Sequence, residues 1–209
     1  MRVRSPFPGL FLAVALGLVI SRGPVRADGK VERIGTFTGT ASDAVKQALE
    51  AQGHHVTLSD GTVDLWFRKD VPGLKPGAFI GVLAFPTARG DFRGQTIKAG
   101  AYTLRYAKIP SDGNHLGASP TSDFLLMLRL VDDPDPAVDL AWETLTEKSK
   151  NAALTNHPAP LNLADVSSQK EFPAVATNGL GHEVFFVKLK TGDGERPIGI
   201  VLKGRTEHE

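Results

Sequence analysis

The segment HEVFFVKLKTGDGERPIGIVLK, residues 182–203, contains two apolar-rich runs on either side of a short polar stretch. The runs are His182–Lys190 and Arg196–Lys203, and the stretch between them holds Gly192 and Gly194. Glycine and aspartate are favoured in tight turns between antiparallel strands, because they tolerate positive φ angles. The segment therefore predicts a β-hairpin and an antiparallel sheet around it.

The rest of the chain repeats this pattern of short apolar runs separated by glycine and proline. Ala101–Ile109 alternates in part, with Tyr102, Leu104 and Tyr106 on one face, which is typical of a half-buried strand. Further strands are predicted over Val31–Thr38, His55–Leu58, Thr62–Arg68, Phe79–Phe85 and Asp123–Val131. Helices are predicted over Asp43–Gln52 and Asp139–Leu154, and residues 156–178 are interpreted as a long loop with one short strand.

These elements predict a mainly β (α+β) fold, an antiparallel β-sandwich of about seven to nine strands with two peripheral α-helices. Runs of strands separated by single helices argue against a parallel sheet with crossover helices. We expect residues 28–209 to form one domain, because a chain of this length buries on the order of 70% of its extended surface.

Residues 1–27 have the pattern of a secretory signal peptide. They hold four arginines and no acid, and Leu10–Ile20 is an uncharged run of eleven apolar or small residues. Val25 and Ala27 then form a small-residue cleavage site before Asp28. Spanning a bilayer takes about 20 apolar residues, so no membrane span is expected after cleavage. The sequence predicts an exported protein, periplasmic or extracellular, although arginines near the cut leave a retained anchor as an alternative.

Charge and cysteine content exclude several classes of function. Removing the leader's four arginines from the 24 basic residues leaves 20 against 23 acidic ones, a net charge of −3. That balance argues against nucleic acid as a partner and against a polybasic membrane anchor. The chain has no cysteine, which excludes disulfides, thiolate metal sites and cysteine nucleophiles.

Motifs typical of common enzymes do not occur in the sequence. It contains no G-x-S-x-G elbow, no H-E-x-x-H zinc motif, no phosphate-binding loop and no dinucleotide fingerprint. This favours a non-catalytic module without a cofactor.

The polar segment Asp112–Asp123 is the predicted site. Asp112 and Asn114 stand at the first and third positions of a partial calcium-loop pattern, but Leu116 occupies the fifth. If this loop meets the Asn-His-Pro loop at His157, then His115, His157 and Asp112 form a cluster suited to zinc or another divalent metal. The alternative is a surface loop held by its own Asp and Asn hydrogen bonds.

Three other features have a structural and a functional interpretation. His54 and His55 begin a strand and point to opposite faces, which makes them poor joint ligands. Asp132–Pro136 is either a rigid solvated link or an oxygen-rich cation loop. Six aromatic residues in predicted strands form either core or a platform for sugar rings: Trp66, Phe67, Tyr102, Tyr106, Phe185 and Phe186.

Residues 94–104, GQTIKAGAYTL, carry an A-G-x-Y-x-L pattern that resembles the start of a strand in an uncharacterised family of exported bacterial β-sandwich proteins. The resemblance covers about residues 62–160 and implies export and a β-rich fold. Because that family has no established activity, it implies no catalytic residue. It also rests on Asp112–His115, Ser119-Pro120, Asp123–Leu126 and Thr155–Pro158.

Together these observations predict an exported, non-catalytic module that binds a partner protein, a glycan or a small ligand. Its candidate ligand-binding residues are Asp112, Asn114, His115 and His157. One alternative is a metal-dependent protein, such as a hydrolase, that uses the same cluster. A second alternative is a carrier that holds an apolar ligand inside a barrel or between sheets.

Overall fold

The computed structural model describes residues 29–90, 95–109, 121–153 and 155–204. These ranges contain twelve strands and two helices. The strands are β1 (Lys30–Ile34), β2 (Gly53–Leu58), β3 (Gly61–Phe67), β4 (Phe79–Phe85), β5 (Arg89–Gly90), β6 (Thr96–Ile97), β7 (Gly100–Lys108), β8 (Asp123–Arg129), β9 (Pro160–Ala164), β10 (Ala174–Thr177), β11 (Glu183–Thr191) and β12 (Gly194–Lys203), and the helices are α1 (Asp43–Ala48) and α2 (Trp142–Ala153).

Ten of these strands form one antiparallel sheet, in the order β1-β2-β3-β4-β7-β8-β9-β12-β11-β10. The first and last strands of this order, β1 and β10, lie side by side. A Cβ on Gly29, which directly precedes β1, would lie 2.6 Å from Cγ1 of Val175 in β10. The sheet therefore curls into a nearly closed barrel, while β5 and β6 form a separate two-stranded ladder.

The predicted sandwich of seven to nine strands is wrong, although the mainly β antiparallel fold with two helices is confirmed. The difference arises at β9, which lies in the stretch interpreted as a loop with one short strand. β9 pairs with β8 on one side and with β12 on the other, so it joins the two halves of the chain into one sheet. Pro158 and Pro160 at its start give the local sequence the character of a loop.

A single buried cluster fills the interior of the barrel. Tyr102, Leu104 and Tyr106 belong to it, as their alternation predicts. The six aromatic residues of the sugar-platform interpretation are all buried, with exposed fractions of 8% or less, so they form core. The packed interior also gives the apolar-carrier hypothesis no support.

The helices cover the outer face of the sheet. Ser42 caps α1 by accepting a hydrogen bond from the Val45 amide at 3.1 Å, and Val45 packs against the side of β3 and β4 that carries Trp66. Leu145 of α2 packs on β8, where it contacts a cluster that includes Phe124. Within the described ranges, no helix combines the length and the apolar character needed to cross a membrane.

Residues 130–141, which we call the strap, connect β8 to α2 across the outer face. The interpretation of Asp132–Pro136 as a solvated link is wrong at Asp133, which is 2% exposed. Its carboxylate accepts from Arg105 Nε at 2.9 Å and Nη2 at 2.6 Å, and from Thr103 Oγ1 at 2.6 Å. The remaining N–H groups of Arg105 donate to carbonyl oxygens of Gly77, Asp135 and Val138. This buried ion pair anchors the strap. Both oxygens of the Asp133 carboxylate accept hydrogen bonds from Arg105 or Thr103.

Candidate functional site

The barrel wall is interrupted beside β11. β10 pairs with β11 only as far as Ala174, opposite Phe186, and the preceding residues Phe172 and Pro173 border an opening. Further along β11, the amide of Val71 donates to the Lys190 carbonyl at 2.9 Å and closes the gap again. Between these two points lies an opening of about 340 Å³, which we call the seam cleft.

The floor of the seam cleft is apolar. Phe67 from β3 and Val187 and Leu189 from β11 form it, and all three side chains belong to the buried interior cluster. Seven of the twelve residues that line the opening are polar or charged, so the seam cleft is a mainly polar groove over an apolar floor.

Pairing between β1 and β2 places two polar side chains at the cleft. Arg33 and His54 stand directly opposite each other in this antiparallel pair, so both project from the same face of the sheet. His54 is 3% exposed, and its ring lies 5.9 Å from that of Phe67 and 5.3 Å from that of Phe185. Arg33 is exposed at the rim.

His54 has one ring nitrogen without a partner. Arg33 Nη1 lies 3.4 Å from Nε2 of His54. A guanidinium can only donate, so this contact makes Nε2 the acceptor and assigns the proton of the neutral ring to Nδ1. Among the described residues, no group accepts a hydrogen bond from Nδ1. The His54 ring therefore has a buried N–H donor that lacks an acceptor among the described residues, and this donor has almost no surface open to the cleft.

The surroundings keep the imidazole neutral. Burial lowers the pKa of His54 from its usual value near 6.5 to about 4, and the positive charge of Arg33 acts in the same direction. At pH 7 the ring is thus uncharged, and burying an unsatisfied N–H costs roughly 1–3 kcal/mol.

Of the three cationic side chains at the rim, Arg33 alone has no carboxylate partner among the described residues. Lys190 pairs with Glu50 at 3.0 Å, and Lys188 pairs with Glu195 at 3.1 Å. Arg33 makes no ion pair with any described residue. The lining thus combines three cationic side chains, two carboxylates and an apolar floor.

The predicted site residues fall in two places. Asp112, Asn114 and His115 lie outside the described residues. His157 is exposed in the loop before β9, where its amide donates to Thr155 Oγ1 at 3.1 Å. Within the described ranges, no three His, Cys, Asp or Glu side chains come together in a way that could hold a metal ion. The cluster of these four residues, with or without a metal, stays a prediction.

A second, smaller groove of about 180 Å³ lies at the ends of β7 and β8 that bracket residues 110–120. There the Tyr106 hydroxyl donates to Asp123, close to Arg196. Burial, helped by this hydrogen bond, raises the pKa of Tyr106 to about 12. Burial also acts to raise the pKa of Asp123, but hydrogen bonds from Ser122 and Tyr106 outweigh it and lower that pKa. The groove thus contains a protonated phenol bound to a carboxylate.

The seam cleft could not be predicted from the sequence. The alternation of His54 with Val56 and Leu58 could have placed the ring on the inner face of β2. No local signal places Arg33 opposite His54, because that depends on the pairing register of two strands separated by α1. The cleft itself depends on where β10 begins, and β10 was part of a segment interpreted as loop.

Comparisons of this chain with models of protein families, with curated proteins and with solved structures find no match. The resemblance of residues 94–104 to an exported family therefore stays a prediction.

Proposed function

We propose that this chain is an exported, non-catalytic module that binds a small ligand in the seam cleft. The observation that carries the proposal is the opening of about 340 Å³ itself, which has Phe67, Val187 and Leu189 at its floor and Arg33 at its rim. Arg33 makes no ion pair with any described residue, so its guanidinium can donate hydrogen bonds to a ligand. A ligand that lies on the floor also buries apolar surface of its own.

A small ligand fits these observations better than a protein or glycan. The polar groups converge inside an indentation rather than across a wide surface. The aromatic side chains that could stack on sugars are packed in the core. The lining of the seam cleft includes none of the residues 110–120, so this binding site does not depend on them.

Binding can be tested by recording amide and side-chain NMR spectra of the chain from residue 28 with a panel of small neutral, anionic and cationic compounds. Compounds that bind should shift signals of Arg33, His54 and Lys188 together. Gln52→Trp, which introduces a bulky ring at an exposed lining position, should abolish these shifts. Gln47→Trp on α1, also exposed but away from the cleft lining, is the matched control and should leave them unchanged.

Two results would contradict the proposal. One is a panel in which no compound shifts the cleft signals. The other is unchanged binding in Gln52→Trp. Export is tested separately by mass spectrometry of the secreted or periplasmic protein, whose first residue should be Asp28.

A further inference from the structure

We propose that the ligand of the seam cleft is a short peptide in extended conformation, which pairs as a β-strand with the edges of β11 and β1. This inference rests on the proposed function and adds the chemical class of the ligand. It follows from the backbone groups on the two sides of the cleft, from the width of the gap between them and from the floor.

One side of the cleft is a stretch of the β11 edge. Thr191 and Gly194 flank the two-residue turn between β11 and β12 and form a hydrogen-bonded pair. Because backbone groups alternate in direction along an antiparallel strand, those of Lys188 and Lys190 point away from β12. The Val71 amide donates to the Lys190 carbonyl at 2.9 Å, in agreement with this direction. The N–H and C=O of Lys188 therefore face the cleft, and pairing with β10 ends before it reaches them.

The other side of the cleft is the outer edge of β1. Among the described strands, β1 forms a ladder with β2 alone. Leu58 and Gly61 flank the two-residue turn between β2 and β3 and form a hydrogen-bonded pair, which fixes the alternation in β2. Continued through the pairing of β2 with β1, this alternation directs the backbone N–H and C=O of Arg33 away from β2 and toward the seam.

The gap between these two edges has the width of one strand. A Cβ on Gly29 would lie 2.6 Å from Cγ1 of Val175, so at that level β10 occupies the position between β1 and β11. Adjacent strands lie about 4.8 Å apart, which places β1 and β11 roughly 10 Å apart where β10 separates them. Beyond Ala174 both edges continue, and the opening of about 340 Å³ lies where a further stretch of strand would fit. An extended peptide there can pair with Lys188 on one side and with Arg33 on the other.

The floor indicates which side chains the peptide should carry. Val187 and Leu189 belong to the buried interior, whereas Lys188 between them is exposed. The peptide residue that pairs with Lys188 therefore points outward, and its two neighbours point toward the floor. Apolar side chains at these alternate positions bury their surface on Phe67, Val187 and Leu189.

The test compares acetyl-Val-Thr-Val-amide, whose ends are uncharged, with the same peptide carrying an N-methyl group on the threonine. Affinities are measured by NMR titration at pH 7 for the wild-type chain from residue 28. Successive residues of a paired peptide face opposite edges, so N-methylation removes a hydrogen bond to one edge in any register. The parent peptide should bind about tenfold more tightly, the ratio for one lost hydrogen bond. It should also slow hydrogen exchange of the Lys188 and Arg33 amides.

Two variants at one position distinguish the backbone from the side chain. Lys188→Ala removes the charge and keeps the amide, so it should bind the parent peptide as the wild type does. Lys188→Pro removes an N–H that faces the cleft and takes no part in the ladder with β12, so it should weaken the parent peptide about tenfold. Amide spectra of both variants report whether they fold, and if Lys188→Pro does not, the comparison of the two peptides decides.

The outcomes separate this inference from the function on which it rests. If the N-methylated peptide binds as tightly as its parent, or if Lys188→Ala weakens binding as much as Lys188→Pro, the ligand does not pair with the edges and the inference is wrong. If neither peptide binds while other compounds of the panel shift the cleft signals, the inference fails and the proposed function stands. If no compound of any kind shifts them, both are wrong.

Discussion

Replacing His54 by phenylalanine should make this protein more stable. The imidazole is buried, and its unpartnered Nδ1–H group costs about 1–3 kcal/mol. Phenylalanine keeps the packing against the rings of Phe67 and Phe185, and its extra volume can extend into the adjoining cleft. Because adjustment of neighbouring side chains offsets some of this gain, we expect the free energy of unfolding to rise by about 1 kcal/mol at pH 7. For a domain of this size that is an increase in Tm of roughly 2–4 °C.

The difference in stability between His54→Phe and the wild type should increase as the pH is lowered. Burial holds the pKa of His54 at about 4 in the folded protein, against a usual value near 6.5. Between these two pH values the unfolded chain binds a proton that the folded chain does not, so wild-type stability falls as pH drops from 6.5 to 4. The full shift corresponds to at most ~3 kcal/mol. Because the protein relaxes around a buried charge, we expect the difference between the unfolding free energies of wild type and His54→Phe to grow by about 2 kcal/mol.

The assay is urea unfolding of wild type and His54→Phe at several pH values from 7 to 4. Both proteins contain the other charged groups that line the cleft, namely Arg33, Glu50, Lys188, Lys190 and Glu195. Their titration therefore largely cancels in the difference between the two unfolding free energies.

The matched control is His55→Phe, which changes the neighbouring ring on the outer face. His55 Nδ1 lies 2.6 Å from Asp64, so this substitution removes a satisfied interaction and should not stabilise. A loss of stability in His54→Phe at pH 7, or a difference that stays constant down to pH 4, would refute the reasoning.

Three further predictions concern the structural parts of the fold. Asp133→Ala should lower the free energy of unfolding by about 3–5 kcal/mol in urea titrations, because it leaves the Arg105 guanidinium buried without its anion; the double variant Arg105→Met/Asp133→Ala should lose less than the sum of the two single variants. Gly77→Ala should cost at least ~2 kcal/mol more than Gly73→Ala in the same assay, because both glycines have positive φ but only a Cβ on Gly77 would overlap the strap backbone. An ultraviolet titration should find Tyr106 protonated at pH ~10, where free tyrosine is half ionised, since its pKa is about 12. Stability should then fall as pH rises from about 10 to 12, because the unfolded chain releases the proton first; ionisation of both tyrosines near pH 10 in the folded protein would contradict this.

The local sequence pattern was sufficient to predict most individual strands. The strand predicted at Phe79–Phe85 has those bounds in the structure, and the hairpin of residues 182–203 forms β11 and β12. The turn residues and apolar runs that define these elements lie within a few positions of one another. Helix α1 ends at Ala48, earlier than predicted, because Leu49 adopts extended backbone and packs beside Val45.

Features that depend on long-range pairing were not accessible from the sequence. Arg105 and Asp133 are 28 positions apart, and neither residue alone indicates that the other will be buried against it. The closure of the sheet depends on β9, a five-residue strand that begins at a proline and has neighbours on both sides. A sandwich and a barrel have the same alternation along each strand, so only these pairings distinguish them.

Among the described residues, the buried polar side chains are of two kinds: those whose polar atoms all have hydrogen-bond partners, and those with one atom that has none. Each N–H group of Arg105 has an acceptor, so its role is to anchor the strap. Arg89 Nη1 has no partner among the described residues, and the adjoining cavity of about 20 Å³ is large enough for one water that would satisfy it. His54 Nδ1 instead has neither an acceptor among the described residues nor surface open to the adjoining cleft. Burying this donor therefore lowers stability without helping the fold, which is the reason that His54→Phe should stabilise the protein.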